Sequence, residues 1–310
     1  MSTHTAIVFP GQGSQSVGML AALAEQHDRV RATFAEASQA LGEDLWKLAQ
    51  EGPEGRLGQT DITQPAMLAA GVAVWRVWQE EQGARPAFLA GHSLGEYTAL
   101  VCSGALAFAD AVPLVAERGR YMQEAVPPGE GAMAAILGLE DDTVREVCDQ
   151  SARGDVVEAV NFNAPGQVVI AGSRGAVERA VDAAKAAGAR RAVPLPVSVP
   201  SHCALMRPAA EKLERRLSEV DIQAPAITVL HNVDVSAAGA PEEIRSRLVA
   251  QVHNPVRWAD TVRHMAGAGV DALVECGPGK VLAGLARRID RRVQGLPVYD
   301  QETLEKALVG

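Results

Sequence analysis

Short apolar segments alternate with longer segments of helical periodicity along most of the chain. Five of the apolar segments are continuous: 6–10 (AIVFP), 87–90 (AFLA), 227–231 (ITVLH), 272–276 (ALVEC) and 296–299 (LPVY). Continuous apolar strands between helices are typical of parallel sheets that are buried on both faces. The pattern therefore predicts an α/β fold, with a large domain whose mostly parallel sheet carries helices on both faces.

The middle of the chain has a different order of elements. Four strand-like segments occur with two helix-like segments, at 132–139, 141–152, 156–161, 168–171, 174–187 and 191–197. This β-α-β-β-α-β order is the split ferredoxin-like motif. We predict a small ferredoxin-like α+β domain at 126–198, inserted into a discontinuous catalytic α/β domain formed by 1–125 and 199–310.

Composition and charge exclude several classes of protein. The chain has 310 residues and a formal net charge of −9, which argues against a nucleic-acid partner because phosphate binding needs a basic surface. The longest apolar stretch, MLAAGVAVWRVW, contains Arg76 and is too short to cross a bilayer. The N-terminus lacks the features of a signal peptide, and no two of the four cysteines form a C-x-x-C pair. We expect a cytoplasmic chain with no membrane partner and no metal.

The segment GHSLGEY at 91–97 contains a G-x-S-x-G motif centred on Ser93. It follows an apolar segment and precedes a helix-like one, which is the strand–turn–helix context of a nucleophile elbow. The glycines permit a sharp turn that exposes the serine, and the amide of Leu94 at the helix start can face an oxyanion. The same glycines could form a turn without chemistry, but the context favours a nucleophile.

A nucleophilic serine needs a base, and the chain has seven histidines. His202 lies in VSVPSHCALM, where the inserted domain returns to the large one, and domain junctions often carry catalytic residues. The side chain of His92 should diverge from the adjacent Ser93, and His264 lies in a helix-like segment. Cys203 is a competing nucleophile without an elbow. An α/β-hydrolase would place its histidine close to the C-terminus, so the position of His202 weakens that class.

Arg118 is predicted to lie on the apolar face of a helix at 109–125. It shares a helical stripe with Val115 and Met122, whereas Arg120 does not. An inward guanidinium needs an anion, because an unpaired buried charge is costly. The anion is either a carboxylate of the protein or the carboxylate of a substrate, held in a bidentate clamp.

Six segments, in order along the chain, resemble the malonyl-CoA–acyl carrier protein transacylases of fatty-acid synthesis. They are 9–15 (FPGQGSQ), 91–97 (GHSLGEY), 117–127 (ERGRYMQEAVP), 163–167 (NAPGQ), 200–206 (PSHCALM) and 275–285 (ECGPGKVLAGL). Each segment is weak alone, but together they are specific and cover nearly the whole chain.

The resemblance implies an acyltransferase that moves the malonyl group from malonyl-CoA to the phosphopantetheine thiol of acyl carrier protein, in a ping-pong reaction. Ser93 would be the acylated nucleophile, His202 its base, and Arg118 the ligand of the free malonate carboxylate. The expected partners are acyl carrier protein and a coenzyme A thioester. No cofactor would be permanently bound, since the phosphopantetheine belongs to the partner.

Three further residues receive roles from the same resemblance. The backbone amides of Gln12 and Leu94 would form the oxyanion hole. The backbone carbonyl of Gln251 would orient His202, so that a Ser-His dyad would work without a third, acidic residue.

A serine thioesterase or esterase is the enzymatic alternative, because a Ser-His dyad does not by itself separate transfer from hydrolysis. A dinucleotide-binding loop is disfavoured, since Ser16 stands where FPGQGSQSVG would need the third glycine of G-x-G-x-x-G. Docking of an acidic carrier protein would need a local basic patch. Arg190–Arg191, Arg215–Arg216 and the group Arg287, Arg288, Arg291 and Arg292 are candidates, although each could be an ordinary solvated face.

Overall fold

A computed structural model of the chain describes residues 4–197 and 199–309. Its larger sheet has five strands in the order β7-β2-β1-β8-β9, and every neighbouring pair is parallel. These strands are β1 (Thr5–Phe9), β2 (Phe88–Gly91), β7 (Thr228–Leu230), β8 (Ala272–Cys276) and β9 (Gln294–Val298). Each coincides with one of the five continuous apolar segments to within a few residues. The predicted parallel sheet is confirmed.

Helices cover both faces of this sheet. The α-helices of the described residues are α1 (Ala21–Gln26), α2 (Asp28–Leu41), α3 (Leu45–Glu51), α4 (Glu54–Leu57), α5 (Thr60–Glu80), α6 (Gly95–Cys102), α7 (Phe108–Glu124), α8 (Asp141–Ala152), α9 (Arg174–Ala186), α10 (Arg207–Leu217), α11 (Pro241–Val252), α12 (Trp258–Gly267), α13 (Val281–Ile289) and α14 (Gln301–Val309). Of these, α8 and α9 pack on the second sheet. Successive residues of a strand face opposite sides of the sheet. Accordingly, Ile7 and Phe9 pack into the core that contains α5 and α7, whereas Ala6 and Val8 pack into the core that contains α12 and α13.

The second sheet is antiparallel and has the strand order β4-β5-β3-β6. Its strands are β3 (Gly131–Leu137), β4 (Val157–Ala164), β5 (Gln167–Ser173) and β6 (Arg191–Pro194). With α8 and α9 packed on one face, the elements follow the predicted ferredoxin-like order. The exact domain boundaries at 126 and 198 stay a prediction.

The last strand of the small sheet is shorter than the sequence suggests. The apolar segment 191–197 predicts one continuous strand, but β6 ends at Pro194. Pro194 and Pro196 have no backbone N–H, so the ladder cannot continue through them. After one further bond, from the Leu195 amide to the carbonyl of Met133 at 2.9 Å, the chain turns away. It is thereby free to line the space between the two sheets.

Backbone hydrogen bonds next to that space join the small sheet to the loop before α12. The amide of Val256 donates to the carbonyl of Val160 at 2.8 Å, and the amide of Phe162 donates to the carbonyl of Val256 at 3.0 Å. They place β4 beside the segment that leads into α12, so a cleft forms between the two parts of the molecule. No helix in residues 4–197 or 199–309 is long and apolar enough to cross a membrane.

Candidate active site

A strained turn between β2 and α6 presents Ser93. Its φ of 51° lies in the left-handed region, which is unfavourable for a residue with a side chain. A Cβ on Gly91 would lie 1.9 Å from the carbonyl carbon of Gly95, and a Cβ on Gly95 would lie 2.1 Å from the carbonyl oxygen of Phe9. Both glycines of G-x-S-x-G are therefore required by close backbone approach, and the packed turn holds Ser93 at the carboxyl end of the sheet.

His202 comes to Ser93 from a position 109 residues further along the chain. Its Nε2 lies 2.8 Å from Oγ of Ser93, and its Nδ1 lies 2.7 Å from the carbonyl oxygen of Gln251. A carbonyl oxygen can only accept, so Nδ1 carries the proton and Nε2 is left to accept from the serine hydroxyl. This is the arrangement that a general base needs.

The surroundings of His202 keep its imidazole neutral. Burial lowers its pKa from 6.5 to about 3, and the positive charge of Arg118 acts in the same direction. The hydrogen bond to the Gln251 carbonyl opposes this shift, since it favours the protonated ring. At neutral pH the imidazole is therefore free to take up a proton.

Arg118 is buried, with 1% of its surface exposed, on the inner side of α7. Its Nη1 donates to Oε1 of Gln64 at 2.8 Å, and its Nη2 donates to Oε1 of Gln251 at 2.9 Å and to Oγ of Ser93 at 3.3 Å. All three acceptors are neutral. Among residues 4–197 and 199–309, no carboxylate forms an ion pair with it, so the protein salt bridge considered from the sequence is absent there. The guanidinium next to the nucleophile thus lacks a counter-ion in direct contact.

Two backbone amides border the same space. Leu94 immediately precedes α6, and Gln12 lies in the loop after β1. Neither amide donates a hydrogen bond to another group in the described part of the chain. A Cβ on Gly11 would lie 2.6 Å from the carbonyl oxygen of His92, so the loop that carries Gln12 packs directly on the elbow. Free amides in this position are suited to an oxyanion.

These groups border a cavity of about 330 Å³ between the two sheets. The large part of the molecule contributes Gln12, Ser93, Leu94, Arg118 and His202, and the small sheet and the segment after β6 contribute Met133, Asn161 and Leu195. Five of the six residues singled out from the sequence thus line one cleft. The sixth, Gln251, lies behind the cleft, where it contacts His202 and Arg118.

The other candidate nucleophile and histidines are not positioned to serve as nucleophile or as base for Ser93. Cys203 is fully buried, and burial raises the pKa of its thiol to about 12, so little thiolate is available. His92 turns away from the hydroxyl, with Nε2 2.8 Å from Oδ1 of Asn163. His264 packs edge-on against Phe88 on the outer side of the sheet. His92 thus diverges from the Ser93 hydroxyl and His264 lies in a helix, as the sequence predicts.

Four polar residues of the site were not singled out by the sequence analysis: Gln64, Glu96, His231 and Asn232. Glu96 belongs to the GHSLGEY motif, and Asn232 directly follows the predicted strand 227–231, so both stand at the carboxyl ends of parallel strands, where ligand sites form. Gln64 had a weaker signal, as a polar residue within the largely apolar helix α5. No group of three or more metal-ligating side chains occurs in the described residues.

The family model for the acyl transferase domain matches residues 6–300. The chain belongs to the acyl transferase domain family, and its resemblance to the malonyl-CoA–acyl carrier protein transacylases is confirmed.

Curated and solved relatives are more specific. The chain is 56% identical to a malonyl CoA-acyl carrier protein transacylase of Salmonella typhimurium, over 99% of both chains. It matches an acyl carrier protein S-malonyltransferase of Vibrio cholerae with a TM-score of 0.96 and 57% identity, over 98% of this chain and 99% of the other. A malonyl-transacylase solved in complex with a type II PKS acyl-carrier protein matches with a TM-score of 0.98 and 55% identity, over 99% of both chains.

Proposed function

We propose that this chain transfers the malonyl group from malonyl-CoA to the phosphopantetheine thiol of acyl carrier protein, through a malonyl ester on Ser93. The high identity to malonyl CoA-acyl carrier protein transacylases over their full length supports the reaction and its fatty-acid context. The solved complex of a similar transacylase with a carrier protein supports the partner. The cytoplasmic location remains a prediction from the sequence.

One observation carries the choice of acyl group: a buried guanidinium without a direct counter-ion lies next to the nucleophile. Nη2 of Arg118 is 3.3 Å from Oγ of Ser93, and both line the same cleft. A buried cation is stabilised by an anion that arrives with the substrate. Malonyl thioesters have a free carboxylate two bonds beyond the reacting carbonyl carbon, whereas acetyl thioesters have none. Arg118 therefore selects a dicarboxylic acyl unit and fixes its position.

The reaction proceeds in two matching halves. His202 Nε2 takes the proton from Ser93 as Oγ bonds to the thioester carbonyl carbon, and the amides of Gln12 and Leu94 stabilise the oxyanion. The carbon–sulfur bond then breaks, and coenzyme A leaves as the thiol with the proton held by His202. The phosphopantetheine thiol enters, gives its proton to His202 and takes the acyl group, so Ser93 recovers its proton. No permanently bound cofactor is required by these steps.

Exposure to malonyl-CoA, followed by intact-mass measurement, tests the acyl-enzyme directly. We expect one malonyl adduct on the native chain and none on Ser93→Ala. Addition of carrier protein should discharge the adduct onto its thiol. Steady release of free malonate without any thiol acceptor would instead support the thioesterase alternative.

Substitution of the arginine tests the selectivity. Arg118→Ala should lose most malonyl transfer while acetyl transfer is retained or increased, because only malonate has a carboxylate to hold. The neighbouring Arg120, which is exposed on the same helix, offers a matched control, and Arg120→Ala should leave both rates unchanged. Equal loss of malonyl and acetyl transfer in Arg118→Ala would refute the carboxylate clamp.

A further inference from the structure

A polar cluster that is completely enclosed in protein lies beneath the elbow. Glu96, His231, Asn232 and Gln251 each have 0% of their surface exposed. Glu96 lies in the first turn of α6, His231 and Asn232 follow β7, and Gln251 lies near the end of α11. Buried polar groups are costly unless they are hydrogen-bonded, so their bonds indicate what they do.

Asn232 binds the backbone on both sides of His92, at the start of the elbow. Its Oδ1 accepts from the amide of Ser93 at 2.8 Å, and its Nδ2 donates to the carbonyl of Gly91 at 2.7 Å. The side chain thus clamps the residue whose φ is 51°. Because the amide of Ser93 is occupied, the next amide, that of Leu94, is the elbow N–H that remains for an oxyanion.

Glu96 accepts hydrogen bonds from Asn232 and Gln251, the two residues that bind the backbone of the elbow. Its Oε2 accepts from the amide of Asn232 at 2.9 Å and from Nε2 of Gln251 at 3.0 Å, and its Oε1 accepts from Nδ1 of His231 at 2.8 Å. Three donors and the amino end of a helix compensate the buried carboxylate. Glu96 lies three residues after the nucleophile, so it belongs to the same strand–turn–helix unit as Ser93.

Gln251 connects Glu96 to the catalytic groups. Its Nε2 also donates to the carbonyl of Ser93 at 2.9 Å, and its Oε1 accepts from Nη2 of Arg118 at 2.9 Å. Its backbone carbonyl is the acceptor for Nδ1 of His202. The side chains of Asn232 and Gln251 therefore hold the N–H and the C=O of Ser93, and both residues donate to Glu96, Asn232 through its backbone amide and Gln251 through Nε2.

We propose that Glu96 and Asn232 are positioning residues for acyl transfer, which keep the Ser93 backbone in its left-handed conformation and Oγ within reach of His202. This inference rests on the proposed function, in which Ser93 is the nucleophile. The Gln251 carbonyl, at Nδ1 of His202, takes the place of the acid that a Ser-His-Asp triad would contain, whereas Glu96 acts on the nucleophile through the backbone. Neither residue lines the cleft, so neither should contribute directly to substrate affinity.

The test measures the reactivity of Ser93 with phenylmethanesulfonyl fluoride as well as malonyl-CoA. With phenylmethanesulfonyl fluoride, Oγ of Ser93 bonds to the sulfur atom as the sulfur–fluorine bond breaks and fluoride leaves. The hydroxyl proton passes through His202 to solvent. This probe needs no malonyl group, so it reports on the nucleophile even if the proposed substrate is wrong. Native protein that is sulfonylated but never malonylated would refute the proposed function alone.

Asn232→Ala and Glu96→Gln are the principal variants. A displacement of the nucleophile by about 1 Å can cost about 100-fold, so we expect both sulfonylation and malonylation to slow by about 10- to 100-fold. The KM for malonyl-CoA should stay within about threefold, because Arg118 is retained. Asn232→Asp, which keeps the side-chain volume, supplies a second variant if Asn232→Ala does not fold, and the same slowing is expected since its oxygens repel the Gly91 carbonyl.

Glu275 offers a matched control for the loss of a buried carboxylate. Glu275 is also 0% exposed, and its Oε2 accepts a hydrogen bond from the amide of Ala283 in α13 at 2.8 Å. It does not line the cleft. Glu275→Gln should leave both rates within about twofold of native, whatever it does to stability. Folded Asn232 and Glu96 variants with sulfonylation rates within about threefold of native would overturn the proposal, and so would equal slowing in Glu275→Gln.

Discussion

At the scale of single residues, the site depends on burial of a base and a cation side by side. His202 and Arg118 have 2% and 1% of their surfaces exposed, and both contact Oγ of Ser93. Burial disfavours the charged form of each, and Arg118 further disfavours a positive charge on His202. The two groups can share one cleft because the histidine stays neutral.

A titration of His202 tests this coupling. Because its pKa is lowered from 6.5 to about 3, the native imidazole should stay neutral as the pH falls through 6.5. Arg118→Ala removes one positive charge and should raise the pKa of His202, while burial, the larger cause, still holds it below 6.5. NMR of the ring nitrogens as a function of pH measures both values. Arg120→Ala should leave the titration unchanged, and an identical curve in Arg118→Ala would contradict the coupling.

The lowered pKa of His202 also makes the free energy of unfolding depend on pH. Between pH 6.5 and about 3 the unfolded chain binds a proton at His202 that the folded chain does not bind. The contribution of this residue to the free energy of unfolding therefore decreases as the pH falls through that window.

At the scale of elements, the elbow depends on helix α6 starting directly against β1. The Cβ of any residue other than glycine at 95 would lie 2.1 Å from the Phe9 carbonyl oxygen, in a place occupied by backbone rather than by a flexible side chain. The spacing of Gly91 and Gly95 reflects backbone contacts within the segment from β2 to α6 and with β1. The strand–turn–helix arrangement can therefore be recognised from the sequence.

Two glycine-to-alanine variants separate this contact from ordinary helix propensity. Gly95→Ala should lower the free energy of unfolding by about 1–3 kcal/mol, since the backbone must shift to relieve the overlap. Gly284→Ala lies in α13, where nothing is within 4 Å of the new Cβ, and should raise it by about 0.5–1 kcal/mol. Urea denaturation measures both. If Gly95→Ala were as stable as Gly284→Ala, the close approach would be wrong.

At the scale of the whole molecule, the cleft belongs to neither sheet alone. The large part carries the nucleophile, base and cation, and the small sheet closes the other side with Met133, Asn161 and the chain that leaves β6. A net charge of −9 is unfavourable for an acidic carrier protein, so docking must use a local basic surface. Arg287 in the last turn of α13 and Arg291 just after it have no ion-pair partner within the described residues, so they are the clearest candidates.

Charge reversal at this surface should separate the two half-reactions. Arg287→Glu and Arg291→Glu should each raise the KM for carrier protein several-fold and leave the KM for malonyl-CoA unchanged. Arg153→Glu, at an isolated exposed arginine after α8, makes the same change in net charge and should affect neither. Equal changes in both half-reactions, or the same effect from Arg153→Glu, would show that this surface is not the docking site.

The sequence by itself determined the five strands of the parallel sheet, the order of elements in the small domain and the elbow, because hydrophobic period and glycine spacing report on contacts between residues that are near in the chain. It also indicated that Arg118 faces inward, since a helical stripe is a local property. The end of β6 was missed by three residues, where prolines interrupted an apolar run that otherwise reads as strand.

Only the tertiary structure decided which polar groups meet. Oδ1 of Asn232 binds the Ser93 amide across 139 positions of sequence, and Nε2 of Gln251 binds the Ser93 carbonyl across 158. Nothing in the local pattern around Glu96 or Asn232 distinguishes such an anchor from an ordinary polar residue at the end of a strand. Their roles follow from burial, because inside the protein each donor and acceptor must find a partner, and the fold alone determines which partners are within reach.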